Sequence, residues 1–360
     1  MEQFSCKTKI ISGAGAAAEL KNLNIHRALV VTDPFFMENG QAQRIAALTG
    51  ASHTDFFSKV TPDPTVELVA EGTAMVRAGQ PDAVIALGGG SAMDCAKAMA
   101  YFGAEGMRLV AIPTTSGSGS EVTDFAVLTR DGVKHPLIDS RLQPDVAILD
   151  SDLLQALPPK LIADSGFDVL AHAVEAYVAT GAGPITDALA SDAFSAAYAS
   201  LLSSFRGNCA VRLKIHQAAT MAGMAFGSAG LGLCHGLSHA LGARFHLPHG
   251  RLNAILLPEV VSLNAHSAGA KYARLARHAG LGGSADTMAV RNLKNALQHL
   301  RRQLQLPATL LEAGIDPRQV HRQLMQIVED TLQDPCLQTN PMAVEDYMVR
   351  SVLEAVTGRG

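Results

Sequence analysis

Asp168 and His172 stand four residues apart in an otherwise apolar stretch with Val169, Leu170, Ala173 and Val174. On a helix that spacing puts both side chains on one face, where they can share one ion. A carboxylate in such apolar company needs a partner. Candidate partners follow: His235, His239, His246 and His249 fall within fifteen residues, and His235 and His239 are again four apart. Pro248 breaks a helix there, so His249 can return toward the same place. An aspartate with three histidines is an oxygen and nitrogen ligand set suited to Fe(II) or Zn(II), with an open position left for substrate. One histidine alone is more often a satisfied core or surface residue. Two segments with ligand spacing in one chain make a metal centre the stronger reading.

A second group of residues is rich in glycine and hydroxyls. Gly88, Gly89, Gly90 and Ser91 follow one apolar run and open a helical stretch. Glycine lets the backbone approach a phosphate with no Cβ in the way, and a helix start offers unpaired N–H groups. The full G-x-G-x-x-G fingerprint is absent, and an ordinary turn would also use three glycines. The stretch 112–123 follows another apolar run and carries Thr114, Thr115, Ser118 and Thr123, whose hydroxyls can bond a pyrophosphate or ribose. A plain Ser/Gly loop is the alternative. Two such loops at adjacent strand ends strengthen each other, because both face the carboxyl edge of one sheet. Asp33 lies just past an early strand, where a carboxylate accepts from a ribose 2′-OH and repels a 2′-phosphate, favouring NAD over NADP. Its competing role is a helix or turn cap.

These residues require a scaffold, and the chain supplies one in two parts. The short β-branched runs 28–31, 82–87, 109–112 and 146–149, bounded by Gly, Pro or Asp, read as buried strands of a parallel sheet. Residues 65–79 and 91–101 carry helical spacing between them, giving the alternation of a Rossmann-like, doubly wound α/β domain. Past Leu157-Pro158-Pro159 the chain turns rich in alanine and leucine. Residues 160–180, 185–204, 210–227, 288–304 and 317–332 read as helices, parts of them apolar nearly all round as in a bundle. The expected division is an α/β dinucleotide-binding domain over 1–157 and an all-α, metal-binding and catalytic domain over 158–360, with the site in the cleft between them. Residues 4–11 read as an exposed first strand able to pair across a homodimer.

Composition excludes several classes. With 360 residues, 48% of them hydrophobic, the chain can bury a full core. A formal net charge of −4 without a basic stripe argues against nucleic acid. No long uncharged apolar run suits a membrane span, and the N-terminus lacks the layout of a secretion signal, so a cytoplasmic protein is expected. Five scattered cysteines (Cys6, Cys95, Cys209, Cys234 and Cys336), with no C-x-x-C pair, argue against a disulfide framework and a thiolate zinc site.

The chain resembles the iron-dependent (group III) alcohol dehydrogenases over essentially its whole length. The resemblance is carried by Gly88-Gly89-Gly90-Ser91 with Asp94 and Lys97, the loop 114–123, the stretch 144–150, the segment 166–177 and the segment 235–258. It implies a dehydroquinate synthase-like fold, with a dinucleotide-binding N-terminal domain and a helical metal-binding domain. It implies that Asp168, His172, His235 and His249 hold Fe(II), with Zn(II) as the alternative. His239 falls where the family keeps a histidine near the nicotinamide, which suits a member of the proton path. His246 has no ligand counterpart. Asp94 and Lys134 complete the expected NAD(H)-binding set.

The reaction implied is NAD(H)-linked interconversion of a small primary alcohol (ethanol, 1-propanol or 1,2-propanediol class) and its aldehyde. Some similar enzymes serve bacterial microcompartments; the N-terminus here shows no long amphipathic extension. Two departures bear on substrate preference: Glu259 where a histidine is common, and Met342 after Asn340-Pro341 where arginine is usual. The competing readings are a glycerol-type polyol dehydrogenase, a non-catalytic binder that kept the fold, and a lyase of the dehydroquinate synthase type. The lyase would need basic residues for a substrate phosphate, for which Arg244 and Arg251 are the main candidates.

Overall fold

The computed structural model describes residues 3–130 and 133–358. The chain divides into two compact units, one of residues 5–157 and one running from residue 158 onward.

The first unit is built on a six-stranded parallel sheet of β1 (Lys9–Gly13), β2 (Arg27–Thr32), β3 (His53–Phe57), β4 (Ala83–Gly88), β5 (Arg108–Pro113) and β8 (Val146–Asp150), in the order β1-β8-β5-β4-β2-β3. A separate antiparallel pair, β6 (Phe125–Arg130) and β7 (Val133–Ile138), lies between β5 and β8 in the chain. The central strands β4 and β8 are buried along their whole length, which is why they read as unbroken apolar runs rather than alternating ones. Helices α1 (Pro34–Glu38), α2 (Gln41–Thr49), α3 (Val66–Gly79) and α4 (Gly90–Gly103) complete the unit. One core on the sheet brings Val31, Val84, Ala86 and Ala111 together with Val69 and Val76 of α3 and Met93, Ala96 and Met99 of α4. The other brings Val30, Ile85 and Ile112 together with Ala42 and Ile45 of α2.

The first strand starts later than expected. Residues 3–8 are not strand; β1 begins at Lys9, where its register with β8 begins at Val146, and it pairs with β8 alone at the sheet edge. Strand β3 carries no continuous apolar run, so nothing in its sequence marks it: as an edge strand it is covered on one side only.

The second unit is helical: α5 (Pro159–Val178), α6 (Pro184–Phe205), α7 (Arg212–Ala229), α8 (Leu233–Phe245), α9 (His249–His278), α10 (Asp286–Gln303), α11 (Pro317–Arg322), α12 (Leu324–Gln333) and α13 (Asp346–Thr357). Helix α5 is its centre, packed on α6, α7 and α9 and buried almost continuously from Ile162. The expected single helix over 317–332 is two, because Gln323 leaves helical geometry at φ −103° and ψ 6°. Helix α9 was not expected as one element. It runs thirty residues straight through Pro258, whose missing N–H and ring bulk normally end a helix. No helix among the described residues is long and apolar enough to cross a membrane.

Candidate active site

Helix α5 presents Asp168, His172 and Glu175 at i, i+4 and i+7, all on one buried face. Helix α8 presents His235 and His239. It ends at Phe245 because His246 takes the left-handed conformation, φ 52°, at its C-cap. Pro248 then caps α9, whose first residue is His249. Chain reversal over three residues thus returns His249 to the site, and His246 serves as the turn.

Ligand atoms of Asp168, His172 and His235 lie within 4.8 Å of one another. His249 Nε2 is 3.8 Å from Asp168 Oδ1, and its ring lies 5.3 Å from that of His235. His172 is stacked between Phe226, at 4.4 Å, and His235, at 4.5 Å. Burial pulls His235 and His249 well below the usual imidazole range, so both are neutral at pH 7. Burial alone would raise Asp168. The surrounding histidines and a hydrogen bond from Asn253 Nδ2 (2.7 Å) outweigh it and hold the carboxyl below its usual range. One carboxylate and neutral imidazoles, three of the four residues buried and His249 partly exposed, fit a divalent cation of the Fe(II) or Zn(II) type.

A supporting shell escaped the sequence reading. Glu175 Oε2 accepts from His235 Nδ1 at 2.6 Å, and the Glu175 carboxylate also takes the backbone N–H groups of Gly232, Cys234 and His235. Glu175 therefore caps the start of α8 and aims the other ring nitrogen of His235 toward Asp168, as carboxylate partners of metal-binding histidines do. Burial pushes Glu175 up to about 7 against those donors. Asn253 links the two helices that flank it. Its Nδ2 donates to Asp168 and reaches His235 Nε2 at 3.3 Å; its Oδ1 accepts from Ser238 Oγ at 2.6 Å. Glu175 had a legible signal, an acid on the same apolar face as Asp168 and His172. Asn253 had none.

His239 stacks on His249 at 5.2 Å, and its Nδ1 lies 2.8 Å from Asp334 Oδ2. Burial would raise Asp334, but its bonds with His239 and Cys336 hold it down to about 2. Arg244 and Arg251 are both engaged, Arg244 with Asp330 (2.5 Å) and Arg251 with both oxygens of Asp164 (3.0 and 2.6 Å). Neither is a spare cation for a substrate phosphate, which removes the feature the lyase reading needed. Glu259 pairs with Lys294 at 2.8 Å. Asn340, beside Met342, accepts from Leu233 N and Asn264 Nδ2, tying the C-terminal stretch to the start of α8.

In the first unit the two candidate loops meet. A Cβ on Gly89 would lie 3.2 Å from Thr115 Oγ1, and one on Gly90 3.3 Å from Ser118 Cβ. A Cβ on Gly88 would sit 2.6 Å from that of Ala92, and Gly88 also carries a positive φ of 152°. Gly88 O accepts from Thr114 N at 2.9 Å, closing the two strand ends together. The N-cap of α4 is Gly89, which has no side chain to bond the first N–H groups of the helix, the kind of start that can receive an anion. Thr115, Ser118 and Ser91 are partly exposed beside it, whereas Thr114 and Thr123 are buried.

Lys97 and Asp94 tie the loop down from beneath. Lys97 Nζ donates to Ser120 Oγ, Thr123 O, Thr123 Oγ1 and Phe125 O within 3.1 Å. Asp94 accepts from Ser120 Oγ and Val127 N. Burial pulls Lys97 down to about 8 and raises Asp94. Asp33 caps α1 by accepting from Phe36 N at 3.2 Å, while its other oxygen lies within 3.8 Å of a Cβ built on Gly88. Lys134, on β7, pairs with Asp63 at 2.6 Å.

Sequence models of two domains match this chain: iron-containing alcohol dehydrogenase over residues 7–151, and the C-terminal part of the Fe-containing alcohol dehydrogenase family over residues 162–357. The chain belongs to the iron-containing alcohol dehydrogenase family. The family uses iron and a nicotinamide dinucleotide, NAD(H) or, in one relative below, NADPH, and the chain is an oxidoreductase of the alcohol–aldehyde class. It is 41% identical to the 1-propanol dehydrogenase PduQ of Citrobacter freundii, with 98% of this chain and 99% of that one covered. An NADPH-dependent butanol dehydrogenase of Clostridium saccharobutylicum is 36% identical, with 99% and 98% covered. Among solved structures, the sulfoacetaldehyde reductase of Bifidobacterium kashiwanohense in complex with NAD+ superimposes with a TM-score of 0.91 at 27% identity, covering all of both chains.

Proposed function

We propose that this iron-containing alcohol dehydrogenase interconverts a short-chain primary alcohol, of the 1-propanol class, and its aldehyde, using NAD(H). The reading rests on one observation above all: Asp168, His172 and His235 converge from two helices within 4.8 Å, with His249 3.8 Å from Asp168. These four residues would hold the iron. Bound iron supplies a Lewis acid for the substrate oxygen, and bound NAD(H) supplies or accepts the hydride.

The chain's own residues do the rest. Glu175 holds the Nδ1 proton of His235, so that His235 presents only an unprotonated Nε2. Asn253 orients Asp168. The proton that balances hydride transfer needs a route to solvent; His239, whose side chain is 37% exposed and held through Nδ1 by Asp334, would carry it. The Gly89, Gly90 and Ser91 amides with Thr115 and Ser118 would cradle the pyrophosphate, and Asp33 would take the ribose hydroxyl. Lys97 and Asp94 would act through the loop rather than on the dinucleotide, and Lys134 would be peripheral to it. Support for a short substrate comes from the propanol and butanol enzymes above. The edge strand β1 supports a homodimer, and we place the enzyme in the cytoplasm.

The test is NADH oxidation with propanal, run anaerobically on metal-stripped protein before and after Fe(II), with NADPH alongside. Activity that appears only with Fe(II) and prefers NADH is the expected result. Equal or better turnover with NADPH would remove the role given to Asp33. Absence of both activity and metal uptake would overturn the whole reading.

A further inference from the structure

A second set of donors lies beside the one assigned to iron. Ligand atoms of His239, Asp334 and Cys336 lie within 4.8 Å of one another, and all three residues are partly exposed. His239 comes from α8, Asp334 ends α12, and Cys336 lies in the short turn Pro335–Thr339 that follows. The arrangement is built. Cys336 N donates to Asp334 Oδ1 at 2.9 Å, which folds the turn back on its own carboxylate, while Oδ2 is engaged by His239. Gly236 lets that turn lie against α8: a Cβ there would overlap Leu337 and lie 3.5 Å from Asp334 Cβ.

We propose that His239, Asp334 and Cys336 form a second, zinc-selective cation site that regulates the enzyme by occupying its proton-carrying histidine. Nitrogen, carboxylate and thiolate donors together suit Zn(II) and not Mg(II) or Ca(II), which take oxygen. Bond lengths of about 2.0 Å to nitrogen or oxygen and about 2.3 Å to sulfur put tetrahedral ligand atoms roughly 3.3–3.5 Å apart. The His239–Asp334 pair, now at 2.8 Å, must open by about half an ångström. No pair is more than 4.8 Å apart, so none must close by more than about 1.3 Å. Both adjustments fall on partly exposed side chains, and His239 faces solvent enough to admit the ion.

Burial and the adjacent Asp334 keep Cys336 as a thiol. Zinc entry forms the zinc–sulfur bond and sends the thiol proton to solvent, so that carboxylate and thiolate balance the dication. The fourth position stays open to water. The Asp168 set contains no sulfur, which separates the two sites spectroscopically. Because the site uses His239, its occupation stops proton transfer without removing iron.

Co(II) is the probe, added anaerobically to the iron-loaded protein. The expected result is a thiolate-to-cobalt charge-transfer band in the near ultraviolet, saturating at one cobalt per chain while iron content stays constant. Cys336→Ser should lose the band and keep its iron. Asp334→Asn, which removes the charge of one of three ligands, serves as the second variant should Cys336→Ser not fold, and should bind cobalt at least about 10-fold more weakly. Inhibition of the iron-loaded enzyme by added zinc should weaken in parallel in Cys336→Ser. A missing band, a band that survives Cys336→Ser, or cobalt uptake matched by iron release would overturn the proposal. The absorbance reading needs no turnover, so failure of the alcohol dehydrogenase assay would leave this test intact.

Discussion

Gly250 joins the packing of two helices to the geometry of the proposed metal set, and its replacement by alanine tests that link. Gly250 is the second residue of α9, directly after His249, and lies against α5 one turn before Asp168. A Cβ there would overlap the Asp164 carbonyl oxygen, lie 2.7 Å from the carbonyl carbon and 3.1 Å from Asp168 Cβ. Ordinary contact begins at 3.4 Å, so the carbon alone demands a retreat of at least 0.7 Å. The obstacle is mid-helix backbone and cannot rotate aside. The start of α9 must therefore move off α5, carrying His249 away from Asp168. Metal–ligand distances tolerate about 0.2 Å, so a displacement several times larger removes His249 from the ligand set.

We expect iron affinity to fall by about 100-fold or more, the upper range seen when even outer partners of a ligand are lost. Overpacking should add about 1–3 kcal/mol of destabilisation. The assay is iron content and competition by chelator, with Gly269→Ala as the matched control. Gly269 lies on the same helix with nothing within 4 Å of its Cβ position, and alanine there should gain up to about 1 kcal/mol through helix propensity. Wild-type iron retention in a folded Gly250→Ala protein would refute the reasoning, because the ligand set would then not depend on this contact.

Removing the charge that aims His235 by Glu175→Gln should lower iron affinity about 10- to 100-fold without loss of NADH binding, measured by fluorescence titration. The converse holds for Lys97→Met, which leaves three buried acceptors and one partly buried one without their donor; it should cost about 3–5 kcal/mol in denaturant titration and weaken NADH binding while iron uptake persists. Asp168→Ala should lose iron and activity, whereas His239→Ala should lose turnover and keep iron; metal analysis of the two proteins distinguishes ligand from proton carrier. Burial pushes the Cys95 thiol up to about 12 from 9.0. Between those values the unfolded chain gives up a proton that the folded one retains, so stability should fall as pH rises above 9, by up to about 1.4 kcal/mol per unit. Urea midpoints at pH 8 and pH 10 should show that extra loss in the wild type and not in Cys95→Ala.

Local spacing determined a good deal of this protein. Strands β2, β4, β5 and β8 are legible within a residue or so because central parallel strands are buried on both faces and need unbroken β-branched runs. The i, i+4 pairs Asp168/His172 and His235/His239 are legible because helix geometry alone puts them on one face. A break before His249 is legible because Pro248 cannot continue a helix, but α8 ends already at Phe245, where His246 turns left-handed.

Tertiary structure decided what depends on contacts between distant segments. The strand order β1-β8-β5-β4-β2-β3 is not the chain order, and β3 earns its place by pairing with β2 rather than by its own composition. Helix α9 passes Pro258 because packing against α5 and α10 outweighs one lost hydrogen bond. Asn253 and Asp334 acquire their roles from Asp168 and His239, 85 and 95 residues away in sequence, and no spacing rule reaches across such gaps. Asp94 and Lys97 show the division within one motif. Their types and positions mark the loop they serve, but only the folded chain turns the lysine onto the backbone of 123–125 and leaves the cradle to glycine amides and partly exposed hydroxyls. A sequence carries the periodicity of its elements; the partners of a buried polar group are set by which elements pack together.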